Sequence, residues 1–256
     1  MNIKRELLGI TDEVFKDVFS NHPDLLVGYV NKICGLNLNP EKTECKPLEA
    51  KRSVNGRRAI FDVRYESSEE DSVVHINMEA QKIRPQEDKF RRREFFYVSN
   101  LYSEAYKEGD SFSKNVKVRE IVFITKEYNF SGSPIKIIKY HNIRDKMYYD
   151  DIIIYEIYID KLIEVSQNGL TKLNEYDKMI LEMVEVFKTN DLDKYTKSQN
   201  SLVSEVAKVI REYTEEEIKK MIRRIEKEDE DDYQSVIDEA KIEARRIELE
   251  KYQDNA

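Results

Sequence analysis

The chain has 256 residues and a formal net charge of −8, which excludes a uniformly basic nucleic-acid binder but leaves room for a local basic patch. Hydrophobic residues make up 40%, enough for a sizeable core, and no apolar run approaches the roughly 18 residues that a membrane-crossing helix needs. The start, MNIKRELLGITDEVFK, lacks the apolar core of a signal peptide, and Cys34 and Cys45 form no CxxC pair or zinc spacing, so a soluble, cytoplasmic protein is expected.

The stretch TDEVFKDVFSNHPDLLVGYVNKICGLN reads as two helices. Val14, Phe15, Val18 and Phe19 follow helical spacing, with Thr11 or Asp12 as the cap. Pro23 restarts the chain as a second helix, Gly35 ends it, and His22 is a turn residue. Residues 40–58 are polar and close on the basic run KRSVNGRR. A hairpin follows, with strands near 59–66 and 72–82. EDKFRRREFFYVSNLYSEAYKEGD is amphipathic, with Phe90, Phe96 or Tyr97, Leu101 and Ala105 on one helical face and Gly109 as the stop. VKVREIVFITKEY is a buried strand, SGSP a turn, and IKIIKYHNI and IIIYEIYIDKL two further strands. His141 has no acid or cysteine neighbour at ligand spacing.

From Leu173 onward the pattern is helical, and the charged residues, 37% of the chain, concentrate toward the C-terminus. The order of elements predicts an α/β or α+β domain over residues 1–190, a central sheet covered by helices. Residues 191–256 form a charged helical extension, broken by EKEDEDD, that is either solvated, bound to a protein partner or self-associated.

The hairpin FDVRYESSEEDSVVHINMEAQK carries acids inside both strands. Side chains alternate across a strand, so Val74, Ile76, Met78 and Ala80 share one face and His75, Asn77, Glu79 and Gln81 the other. A turn centred on Glu69 and Glu70 sets Asp62 opposite Asn77 and diagonal to Glu79, about 7–8 Å away along the backbone. Two carboxylates there can converge on one hard cation, with further oxygen ligands and water. A one-residue slip would send them to opposite faces. The plainer alternative is a sheet with one wet face, on which the acids meet solvent.

An Asp in one strand followed by Glu-x-Gln in the next, here Asp62 and then Glu79-Ala80-Gln81, resembles the PD-(D/E)XK nucleases in the branch named nuclease family transposases, or recombination-promoting nucleases. TDEVFKDVF, HPDLLVGYVNKICGLNL, INMEAQ, FRRREFFYVSNLYSEAY and IIIYEIYIDKL resemble that branch's elements in order, over about residues 8–190. The resemblance implies a restriction-endonuclease-like mixed β-sheet flanked by helices, and Mg²⁺-dependent cleavage of DNA phosphodiesters, with Mn²⁺ as a substitute metal.

On that resemblance Asp62 and Glu79 bind the metal and the Ala80 carbonyl is a third ligand. Gln81 stands where the parent motif has Lys; its amide can hydrogen-bond water but brings no positive charge. Lys82 could supply that charge only through a bulge. Asp12 is either an additional site acid or a helix-start acid favoured by the dipole. Arg93 and Tyr97 share a helix face and either meet the phosphate or serve as solvated and core residues. Lys51, Arg52, Arg57 and Arg58 before the carboxylates, and Lys89, Arg91 and Arg92 after them, are candidate DNA contacts. Double-strand cutting needs two sites, which a homodimer would provide. The rival is a weak or inactive nuclease-fold protein that binds DNA or a protein partner, favoured by Gln81 and the negative charge.

Overall fold

The computed structural model describes residues 12–46, 62–68, 72–83, 87–106, 111–113, 115–126, 132–169, 173–188, 191–213 and 216–217. Asn2–Glu212 make one compact unit, and Met1 with Tyr213–Ala256 makes a second. The expected C-terminal extension beyond Glu217 lies outside the described residues.

Two helices open the first unit, α1 (Asp12–Asn21) and α2 (Pro23–Cys34). Pro23 fits the first turn of α2, where its missing N–H costs nothing, and Gly35 ends the helix with φ 63°, a left-handed turn that suits glycine. The short strand β1 (Thr43–Cys45) precedes the hairpin β2 (Val63–Ser68) and β3 (Ser72–Ile83). Helix α3 (Glu87–Glu104) crosses to β4 (Asn115–Lys126), and a second hairpin joins β5 (Ile135–Asn142) to β6 (Met147–Tyr158).

The six strands form one mixed sheet in the order β1-β2-β3-β4-β6-β5. β3, β4 and β6 run parallel at its centre, and the outer strands pair antiparallel. The expected strand over IIIYEIYIDKL gives way at Ile159 to helix α4 (Ile159–Gln167). Strand alternation ends there, and Ile159 and Leu162, three apart, bury one helical face. Helices α5 (Glu175–Lys188), α6 (Leu192–Tyr195) and α7 (Ser201–Glu212) complete the unit. Thus α7 buries Val203, Val206, Ala207 and Ile210 beyond the expected boundary at residue 190. No helix among the described residues is long and apolar enough to cross a membrane.

One sheet face carries Tyr65, Ile76, Met78, Ile121 and Phe123, all buried. Phe15 of α1 meets Phe123 edge-on at 5.3 Å and Phe19 at 4.9 Å, a favourable arrangement for aromatic pairs. Buried tyrosines here also satisfy helix carbonyls. Tyr65 hydroxyl donates toward the Phe19 and Ser20 carbonyls at 3.0 and 3.1 Å, and Tyr29 to Met183 at 3.0 Å.

The opposite face lies under α3. Val98 and Leu101 pack on Val118 and Ile154, and Phe90 on Val122, Ile124 and Tyr158. This is the face on which a wet surface was an alternative expectation. It is instead covered, and Arg64, His75, Asn77, Glu79, Glu120 and Glu156 are all buried in it. Buried charge must be paired, and α3 supplies partners, among them Glu104 to Arg64, Arg93 to Glu79 and Arg91 to Glu156.

Candidate active site

Val63 pairs with Met78, so the hairpin register differs by two residues from a turn centred on Glu69 and Glu70. Arg64, not Asp62, faces Asn77. Asp62 sits just before β2, level with Glu79, and its Oδ2 accepts the Ala80 N–H at 3.1 Å. The side-chain period is two, so the shift preserves the faces and brings the two acids closer in register than the diagonal expected. A strand residue directs its N–H and C=O to the same edge, so the Ala80 carbonyl faces the Asp62 side.

Glu79 is 5% exposed. Its Oε1 accepts from Asn77 Nδ2 at 3.1 Å, and its Oε2 lies 3.3 Å from Arg93 Nη2. Burial first, then the charge of Asp62, pushes the Glu79 carboxyl up to about 7 against the opposing pull of Arg93 and Asn77. The Arg93 guanidinium lies over two rings, 5.5 Å from the centroid of Phe90 and 5.8 Å from that of Tyr97. Burial, followed by the charge of Glu79, raises the Tyr97 phenol.

A further acid completes the buried row. Asn77 Nδ2 also donates to Glu120 Oε1 at 3.3 Å, so one amide bridges β3 and β4. Glu120 is 1% exposed, and burial, then the charges of Glu79 and Glu94, holds its carboxyl well above the usual carboxylate range. From the other helix layer Lys16 of α1 approaches the same site, its Nζ 3.5 Å from Asp62 Oδ1.

Five of the expected site residues thus meet: Asp62, Glu79, Ala80, Arg93 and Tyr97. Arg91 points elsewhere. Its Nη1 donates to Glu94 at 2.7 Å and to Glu156, which also accepts from the Tyr158 hydroxyl. Lys89 and Arg92 are exposed on α3. The side chains of Asp12 and Gln81, and all of Lys51, Arg52, Arg57 and Arg58, lie outside the described residues.

The donor set suits a hard divalent cation: two carboxylates that repel each other, beside a backbone carbonyl. Among the described residues no group of three or more His, Cys, Asp or Glu is arranged to hold a metal ion. Among the described residues, Asp62, Glu79 and the Ala80 carbonyl are the groups that could hold such an ion, with water filling the remaining positions.

The raised carboxyls have a measurable consequence. A group whose folded pKa lies above its unfolded value contributes stability that is full below the unfolded pKa and lost as pH rises through the folded one. For Glu79 that window runs from 4.5 to about 7, and Glu120 has the same sign. Glu120→Gln keeps the acceptor for Asn77 and removes the charge. We expect its melting temperature to match the parent at pH 5 and exceed it by a few degrees at pH 8. A difference that does not grow with pH would contradict the raised carboxyl.

The family model described as PD-(D/E)XK nuclease family transposase matches residues 9–240. No curated protein and no solved structure matches the chain.

Proposed function

The chain belongs to the PD-(D/E)XK nuclease family transposases, a nuclease-type family, and on that premise we propose that it is a Mg²⁺-dependent endonuclease that hydrolyses DNA phosphodiester bonds in the recombination-promoting manner. The observation that carries this reading is the meeting of Asp62 and Glu79 at one level of the hairpin, with the Ala80 backbone between them. Asp62, Glu79 and the Ala80 carbonyl would hold the metal, with Mn²⁺ as an acceptable substitute. The chemistry a bound divalent ion supplies is Lewis-acid polarisation of the phosphate and acidification of water. Asn77 orients Glu79 through its amide, and Arg93 balances the Glu79 charge from the side of α3.

Gln81 would orient the attacking water through its amide. Tyr97 would contact the phosphate as a neutral donor, since its phenol is raised. Asp12 would add a further acid from α1. The protein would act in the cytoplasm as a homodimer, one copy per strand, and the charged C-terminal extension would serve a protein partner or self-association.

Plasmid nicking by purified protein tests this reading. Cleavage is expected in Mg²⁺ or Mn²⁺ and none in EDTA. A folded protein that leaves supercoiled, linear and branched DNA intact in both metals would favour the alternative of a non-catalytic DNA- or protein-binding module, which Gln81 in place of Lys already suggests.

DNA would be contacted by Lys89 and Arg92, which are exposed on α3, and by Lys51, Arg52, Arg57 and Arg58, while Arg91 is tied to Glu156. Replacing Lys89 and Arg92 by Gln should flatten the plot of log affinity against log salt by roughly 0.9 per lost phosphate contact. Fluorescence anisotropy of a labelled duplex across a salt series measures this. An unchanged slope would remove both residues from the DNA surface.

A further inference from the structure

We propose that Lys16 of α1 is the catalytic cation of this site, supplying the positive charge that Gln81 does not bring to the motif. The proposal rests on the nuclease reading above.

The site lies at the end of the hairpin, where the two helix layers approach the sheet from opposite sides. From the α3 side, Arg93 is held by Glu79 and by the rings of Phe90 and Tyr97. Its charge offsets a carboxylate that is almost fully buried. Lys16 comes from the other side and meets the more open acid. The Lys16 and Asp62 side chains are 28% and 24% exposed, and their charged atoms lie 3.5 Å apart. An ammonium carries three donors in a compact head on a flexible stem, so it can keep Asp62 and still reach a phosphate oxygen. Asp62 is anchored from behind by the Ala80 N–H at 3.1 Å, which fixes the point that Lys16 approaches.

In the reaction, the oxygen of a water forms a bond to phosphorus, and the bond from phosphorus to one flanking sugar oxygen breaks. The water releases one proton to solvent and the departing sugar oxygen takes one up. Negative charge builds on the non-bridging oxygens between these events, and a fixed cation there lowers the barrier more than it stabilises the ground state. Lys16 fills that role as an ammonium and stays protonated throughout.

The test uses the full chain with Lys16→Gln, Lys16→Arg, Gln81→Lys and the double variant Lys16→Gln/Gln81→Lys, each checked for an unchanged melting temperature. Single-turnover nicking at saturating DNA should fall about 10²-fold or more in Lys16→Gln, the scale of one lost charge-stabilising group. It should fall less in Lys16→Arg and recover at least about tenfold in the double variant, where the cation returns to the motif position. A second readout does not depend on activity. Mn²⁺ binding followed by electron paramagnetic resonance should be as tight in Lys16→Gln as in the parent, or tighter, because a positive neighbour of Asp62 has gone.

Nicking by Lys16→Gln within about threefold of the parent would overturn the proposal. So would loss of Mn²⁺ binding in step with nicking, since Lys16 would then only support Asp62. A parent protein that is inert until Gln81→Lys is introduced would overturn it as well. Inert protein with and without Gln81→Lys would instead bring down the nuclease reading, and the role of Lys16 with it.

Discussion

Asp62→Ala and Glu79→Ala should each lower DNA nicking by at least about 10³-fold, the consequence of losing several kcal/mol of metal-dependent transition-state stabilisation. The two acids come from just before β2 and from β3, and among the described residues no third His, Cys, Asp or Glu joins them in a metal-holding group. Glu120 stands beyond Asn77, fully buried, with its carboxyl raised, so it is poorly placed to take over. Melting temperature separates chemistry from folding. At pH 8 the Glu79 carboxyl is charged, buried and repelled by Asp62. Glu79→Gln removes that charge and keeps an acceptor for Asn77, so it should melt no lower than the parent while being equally inactive. Nicking retained in both alanine variants would put the site elsewhere or reveal a contaminating nuclease.

Arg91→Ala should have the largest effect on stability. Arg91 bridges two carboxylates, Glu94 at 2% exposure and Glu156 at 0%. Removing the cation leaves both acids buried without their shared partner, and breaking such an arrangement costs about 3–5 kcal/mol. For a domain of this size that is a fall of roughly 10 °C in melting temperature. Lys136 offsets only part of this, because its Nζ is 4.0 Å from Glu156 Oε2, donates to the Tyr158 hydroxyl at 3.2 Å and comes from β5 rather than from beside Glu94. Combining Arg91→Met with Glu94→Gln and Glu156→Gln should recover most of the loss, since an apolar or neutral replacement of the whole cluster avoids buried charge. A loss below about 1 kcal/mol in Arg91→Ala would mean that the cluster behaves as a solvated surface pair.

Much of this was readable from residue order. Pro23 and Gly35 bound α2, and alternation marks β3 and β5. The hairpin register was less legible, because the turn is a run of Ser, Glu and Asp in which several centres are equally suitable. Moving the centre by one residue moves each partner by two, which leaves the buried face unchanged and so gives the hydrophobic pattern nothing to choose between. Glu120 and Glu156 each left a trace: a charge inside an apolar run on a central strand cannot reach water. Glu120 is bonded by Asn77 of β3, 43 residues away, and Glu156 by Arg91 of α3, 65 residues away, and spacing alone does not identify either partner. Lys16 sits beside the helical face of Val14, Phe15, Val18 and Phe19, and only the docking of α1 on the hairpin reveals its neighbour.

The sheet order also sets when the site can form during folding. Asp62 and Ala80 are 18 residues apart, a contact a hairpin can make early. Asn77 and Glu120 are 43 apart, and Arg91 and Glu156 are 65 apart, so the parallel centre closes only after longer loops have been ordered. On that order the acids of the hairpin would come together while still hydrated. The dehydration of Glu79 belongs to the later step in which β4, β6 and α3 close over it, and slightly acidic conditions, which favour its neutral form once buried, should speed that step.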